Sequence, residues 1–417
     1  MALAREWEQL VDEVRRLEGF EDFLKPPRIE VLRAAAANGP VAVLNVSRWR
    51  CDALIVRADT DVQVVPLPNL DAETVVKQTQ RYLDVLGDLQ RHERGARRID
   101  NTDDLGDFTE KMAAVEAGRE ATETALRSIM EWLWETVTEP VLKALDYLSD
   151  ESLADRATLP RVWWCPTGPL TLLPIHGAGF HDPSQSATGR QVVSRVVSSY
   201  TPTLRVLQEA IVRPVTKDVP AHMLVVGVAT APGDEPLPQV GREVTFLTAL
   251  FDGGCTVLSE ESGHLPTREA VMDGLAGHPW VHFACHGYQN LKDPSRAGLR
   301  LSDGLLTLAD LSATDRHGEF VYLAACNTAT GGVDLPDEVI TLTAAMHYAG
   351  FRHVIGTLWS VDDTVAADVT EAFYRKAGGE AFTPSRAATA LHAAVAEVRA
   401  AKALPLTQWL PFTHTGP

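Results

Sequence analysis

Trp280-Val-His-Phe-Ala-Cys-His-Gly287 and Phe320-Val-Tyr-Leu-Ala-Ala-Cys326 are two short apolar runs, each bounded by loop-like sequence. That pattern is the signature of a strand buried on both faces of a parallel sheet. One run ends in His286-Gly287 and the other in Cys326-Asn327-Thr328. Ligands and chemistry collect at the carboxyl ends of strands in open α/β sheets. If the two strands are neighbours, an imidazole and a thiol meet at one edge, which suits a Cys/His nucleophilic pair.

The sequence on either side supplies the sheet. From about residue 222 the order strand, helix, strand recurs: strands are predicted over 223–228, 255–258, 280–285, 320–325 and 353–358. Helices are predicted over 241–251, 267–275, 339–349, 364–376 and 384–400. This alternation predicts a mostly parallel sheet with helices on both faces. Thr267 is placed as an N-cap and Gly350 as a C-terminal cap. Upstream, 4–18 carries a helical stripe, and 41–45, 51–56 and 62–66 read as a small meander. Long helical patterns cover 71–86 and 108–148, with the charged stretch 91–107 between them expected as an exposed connection. Segments 161–165 and 170–174 read as two strands around the turn Pro166-Thr-Gly-Pro169.

At 417 residues the chain has room for two or three domains, and 45% apolar with 23% charged residues is ordinary for a globular protein. A formal net charge of −18 argues against non-specific nucleic-acid binding. The five cysteines show no metal-ligand spacing, and no phosphate-binding or dinucleotide motif appears, so no metal or cofactor is expected. A charged N-terminus without a signal-type core, and the lack of a membrane-length apolar run, predict a cytoplasmic protein with no membrane partner.

A thiol of ordinary pKa is mostly protonated at neutral pH, and an imidazole within reach takes that proton and later protonates a leaving amine. Gly287 lets the chain turn closely, and its N–H is a candidate donor to a developing oxyanion, with the N–H of Cys326 as a second. The alternative reading makes Cys326 a small core residue and His286 a hydrogen-bonded strand end.

At these residues the chain resembles a known family. His282-Phe-Ala-Cys-His-Gly287 and Leu323-Ala-Ala-Cys-Asn-Thr-Ala329 are similar to the two active-site motifs of CHAT domains, cysteine peptidases related to separases and caspases. Further segments fit in order: Val162-Trp-Trp-Cys-Pro-Thr-Gly-Pro-Leu-Thr-Leu-Leu-Pro174, Leu301-Ser-Asp-Gly-Leu-Leu-Thr307, Gly356-Thr-Leu-Trp-Ser-Val-Asp-Asp363 and Gln408-Trp-Leu-Pro-Phe412. The resemblance covers about residues 155–417, and Gly39-Pro-Val-Ala-Val-Leu-Asn-Val-Ser47 resembles the opening strand of long-form members. It implies a caspase-type α/β sandwich with His286 as general base, Cys326 as nucleophile and Gly287 at the oxyanion hole. The expected organisation is a helical segment at 1–38, an α+β region at 39–154 that reads as a pseudo-protease half, and the peptidase domain at 155–417.

Cys285 and His286 fall on opposite sheet faces by strand alternation, so Cys285 is expected in the core. His282 lies roughly 13 Å further down its strand and is expected to be buried and satisfied. Of the acidic residues near the active edge, Asp303, Asp334, Asp337 and Glu338 read as solvated loop carboxylates. Asp362 and Asp363 read equally as binders of a basic P1 side chain or as caps of the next helix. The expected function is an endopeptidase acting on a protein partner and governed by an associated sensor protein. The alternatives are a non-catalytic interaction module and, last, thiol chemistry on small thioesters.

Overall fold

A computed structural model describes the chain except residues 1, 18–19, 21–22, 26, 100–104, 150–157, 183–188, 215–221, 289–295, 313–317 and 325–341. Strands β1 (Val41–Asn45), β2 (Asp52–Val56) and β3 (Gln63–Pro66) form an antiparallel meander. Strands β4 (Arg161–Pro166), β5 (Val197–Tyr200), β6 (Met223–Gly227), β7 (Cys255–Ser259) and β8 (Trp280–Ala284) follow. A separate antiparallel sheet contains β9 (Gly287–Tyr288), β10 (Gly298–Leu301) and β11 (Gly304–Thr307). The last strands are β12 (Phe320–Ala324), β13 (His353–Thr357) and β14 (Phe412–Thr415). The main sheet has 11 strands in the order β3-β2-β1-β4-β5-β14-β13-β12-β8-β6-β7. Its interior is mostly parallel, with β14 running antiparallel to β13 and parallel to β5.

The helices used below are α1 (Ala2–Val14), α2 (Ala72–Ile99), α3 (Leu105–Leu133), α4 (Leu204–Val212), α5 (Val240–Leu250), α6 (Arg268–Gly277), α7 (Leu342–Tyr348), α8 (Asp363–Lys376), α9 (Ala387–Lys402) and α10 (Leu406–Trp409). Strand alternation decides which layer each side chain enters. Along β8, Val281 and Phe283 join the core that includes Val271 of α6 and Met346 of α7, while Ala284 joins the core of α5, α8 and α9. Along β4, Val162 and Trp164 face the α2–α3 side and Trp163 faces Leu207 of α4. The Thr267 side chain accepts from the Ala270 N–H and caps α6, and Gly350 adopts φ +101° after α7.

Two local expectations are corrected. Segment 170–174 is not a strand: 3-10 turns occupy Gly168–Leu172 and Ile175–Gly177. Its backbone bonds close locally, the Leu173 N–H donating to the Leu170 carbonyl, and Leu170 and Leu172 enter the core directly from the turn. The charged stretch from Arg91 to Ile99 is not loop but the end of α2. Antiparallel packing of α2 and α3 carries the helix on, and Gly118 of α3 has no Cβ where the His92 ring lies. Strands β5 and β14 and helix α4 carry too little periodicity to be read in advance, yet β5 and β14 join the two ends of the sheet. Among the described residues no helix is long and apolar enough to cross a membrane.

Candidate active site

Strands β6, β8 and β12 are parallel and end level, Gly227 and Ala324 both being register partners of Ala284. His286 lies two residues beyond Ala284, and in the sequence Cys326 lies two residues beyond Ala324. Cys326 itself falls outside the described residues, as do Asp334, Asp337 and Glu338.

His286 is half-buried and held at both ends. Its backbone carbonyl accepts from the Arg300 N–H at 2.8 Å, fixing it to β10. Its ring Nε2 lies 2.6 Å from the Glu235 carbonyl oxygen, in the loop between β6 and α5. A carbonyl can only accept, so Nε2 carries the proton and the neutral ring keeps Nδ1 as the basic atom. Arg300 also pairs with Asp234 at 3.5 Å, tying that loop to β10 above the histidine.

Gly287 pairs with Leu299, and the bond from Arg300 N–H to the His286 carbonyl makes this a non-hydrogen-bonded pair. The Gly287 N–H therefore points away from β10, on the edge strand of the small sheet. Cys285 is fully buried on the opposite face of β8, and burial pushes its thiol well above the ordinary range. It is a protonated core thiol.

Asp363 opens α8 and is half-buried, its Oδ2 accepting from the Gln239 N–H at 2.7 Å. Burial holds its carboxyl above the usual range, helped by Glu243 and Asp362 and opposed by the Gln239 bond and by His286. It is the acidic neighbour of the histidine. Asp362 is the N-cap of α8, accepting from the Thr364 and Val365 N–H groups at 3.0 and 3.3 Å. Asp303 accepts from the Arg268 N–H at 2.9 Å, near the start of α6.

His282 makes the instructive contrast. Fully buried, it lies 3.0 Å from Glu243 Oε2 and 3.1 Å from the Tyr374 hydroxyl, and it stacks on Tyr322 at 5.1 Å.

Beside Asp362 lies a cleft of about 560 Å³ between the α2–α3 pair and α8–α10. Glu93, Glu116, Glu120 and Glu123 line it. Glu123 is engaged, accepting from the Leu406 and Thr407 N–H groups at 2.8 and 2.9 Å, and Glu116 lies 3.9 Å from Arg119. The Glu235 carbonyl and this cleft were missed in the sequence. Any residue carries a carbonyl, and the cleft joins residues more than 300 positions apart, Glu93 and Gln408 among them. Among the described residues, no group of His, Cys, Asp and Glu is placed to hold a metal ion.

The family profile of the CHAT domain matches residues 127–417. The chain belongs to the CHAT domain family. The match begins inside α3 and so includes part of the long-helix pair as well as both active-edge strands. No curated protein matches the sequence. Among solved structures, the chain is similar to the Saccharomyces cerevisiae separase–securin complex in two determinations. Their TM-scores are 0.60 and 0.57, each at 10% identity, covering 93% of this chain and 30% of the other. The CHAT protein thus spans under a third of that relative. It is also similar to the Arg-specific cysteine proteinase gingipain R (RgpB) of Porphyromonas gingivalis, with TM-score 0.44, 10% identity, and 71% and 75% of the two chains covered. The likeness to separase establishes the caspase-like fold: a large, mostly parallel sheet between helical layers.

Proposed function

We infer that the protein is a cysteine endopeptidase using Cys326 and His286. The observation that carries the reading is the hold on His286: its Nε2 proton lies on the Glu235 carbonyl, which makes Nδ1 the basic ring atom at the strand edge where β12 also ends. Nδ1 takes the Cys326 proton as the sulfur bonds to the scissile carbonyl carbon. The Gly287 and Cys326 N–H groups stabilise the oxyanion. The imidazolium then donates its proton to the leaving amine as the C–N bond breaks, and water hydrolyses the thioester by the reverse relay. Asp363 favours the imidazolium by charge.

Asp362 and the glutamate-lined cleft beside it support a substrate that places a basic residue or segment there. The separase neighbours are complexes with securin, and by analogy we assign control of this protease to an associated protein. A peptide library decides the reading. Wild type should cleave it and Cys326→Ala should not, and a peptidyl electrophile should label Cys326 alone. Equal cleavage by both proteins would remove the peptidase reading. Absence of labelling even with a natural partner bound would leave an interaction module that retains the fold.

A further inference from the structure

A second cavity, of about 630 Å³, lies under α9 against β5, β14, residues 176–181 and residues 191–196. One face of α9 forms its roof, with Leu391, His392, Val395 and Arg399, and with Ala388 and Ala396 leaving the space open. These positions recur at three- and four-residue intervals, so they share one side of the helix. Ala396 is exposed and forms the rim. The cavity sits at the seam of the molecule, since Val395 and Leu404 pack against both of the molecule's large cores.

The decisive group is Arg399. Its guanidinium carbon lies 4.3 Å from the centre of the Trp409 ring, which His181 meets edge-on at 5.4 Å. Arg399 is half-buried, and burial lowers its pKa. Among the described residues it forms no ion pair and its guanidinium no hydrogen bond. Other arginines withdrawn from solvent show the ordinary solution: Arg352 pairs with Glu319 at 3.0 Å, and Arg213 donates to the Gly350 and Gly318 carbonyls. A partly desolvated guanidinium facing a cavity without a carboxylate among its described lining residues is left one anion short. His181 does not supply it: its Nε2 donates to the Gly177 carbonyl at 2.7 Å, and burial with the nearby Arg399 and Arg127 lowers its pKa to about 4.

We propose that this cavity is a ligand site for a small-molecule carboxylate with an apolar body, its carboxylate forked on Arg399 and its body lying over Trp409 along Leu391 and Val395. The planar fork of arginine matches a carboxylate in two parallel hydrogen bonds. A phosphate fits the fork but brings a second charge beside Leu391, Val395, Leu404 and Phe412, and among the described residues Arg399 is the one arginine or lysine lining the cavity. His392, two helical turns from Arg399 and about 10 Å away along the axis, marks the far end.

Calorimetric titration of the full chain tests this with octanoate and 4-phenylbutanoate, their uncharged alcohol counterparts, and inorganic phosphate. At least one carboxylate should bind saturably and raise the melting temperature, with its alcohol at least tenfold weaker and phosphate without saturable binding. Arg399→Gln should weaken the carboxylate at least tenfold and leave the alcohol unchanged. Ala396→Phe, on the exposed rim, should weaken both and decides the matter if Arg399→Gln fails to fold. Neither carboxylate binding, equal affinity for acid and alcohol, saturable phosphate binding, or indifference to these substitutions would overturn the assignment.

Discussion

Strand β8 and the residues just past its end carry the same experiment twice, four residues apart. His282 and His286 each lie near a carboxylate: Glu243 hydrogen-bonds the first, and Asp363 acts on the second by charge. Yet one histidine is fully buried with both ring nitrogens engaged, and the other is half-buried at the strand end, its Nε2 on a main-chain carbonyl. Residue type does not separate them. Position along the strand does, because ligands reach an open α/β sheet at the carboxyl ends of its strands.

The sharpest way to break this comparison is to exchange the two losses. His286→Ala should lower kcat/KM for peptide cleavage by about 10³-fold or more with little change in melting temperature. His282→Ala should do the reverse. Leaving Glu243 buried without its partner costs about 3 kcal/mol of unfolding free energy, read by urea titration, while cleavage per folded molecule stays within a few fold. If His282→Ala abolished catalysis in fully folded protein, the buried pair would belong to the reaction.

Asp363→Asn sharpens the contrast at the open end. Removing the charge that favours the imidazolium lowers the His286 pKa, so the acid limb of the kcat/KM profile should move to lower pH. Stability gives a second readout with its own sign. The folded-state pKa of Asp363 is raised, so its contribution is full below its unfolded value and declines as pH rises through the raised value. The asparagine variant should lack that decline. Glu120→Lys in the acidic cleft should act more mildly, raising KM for basic peptides several-fold with kcat unchanged and less effect at high salt. Tyr374→Phe should have the smallest effect, about 1 kcal/mol of stability and none on catalysis, from the hydroxyl lost beside His282.

The parts of the molecule legible in the sequence are those where burial imposes a pattern. Strands β6, β8, β12 and β13 are continuous apolar runs, and α6 announces its start through Thr267. Leu170–Leu173 looked equally strand-like, because an apolar run does not say whether its backbone pairs with a neighbour or closes on itself. The last turns of α2 are polar and took their helicity from packing on α3, which no local pattern records. In the candidate site, His286 and Gly287 were readable from the strand end. The Glu235 carbonyl that fixes the tautomer has no residue signature at all.

The place of β14 has a consequence for how the molecule is born. This strand, late in the chain, is inserted in the middle of the 11-stranded sheet, between β5 and β13. Its four residues are all buried, the Gly416 carbonyl beyond them accepts from the Trp163 indole at 2.7 Å, and a Cβ on Gly416 would strike the Arg352 carbonyl. During synthesis the two flanks of the sheet are therefore held apart until residues 412–415 have left the ribosome. Strand pairings this distant in sequence form late and slowly. A nascent chain stalled upstream would carry strands β8 and β12 but an unclosed sheet, so completion of the fold is timed by translation of β14.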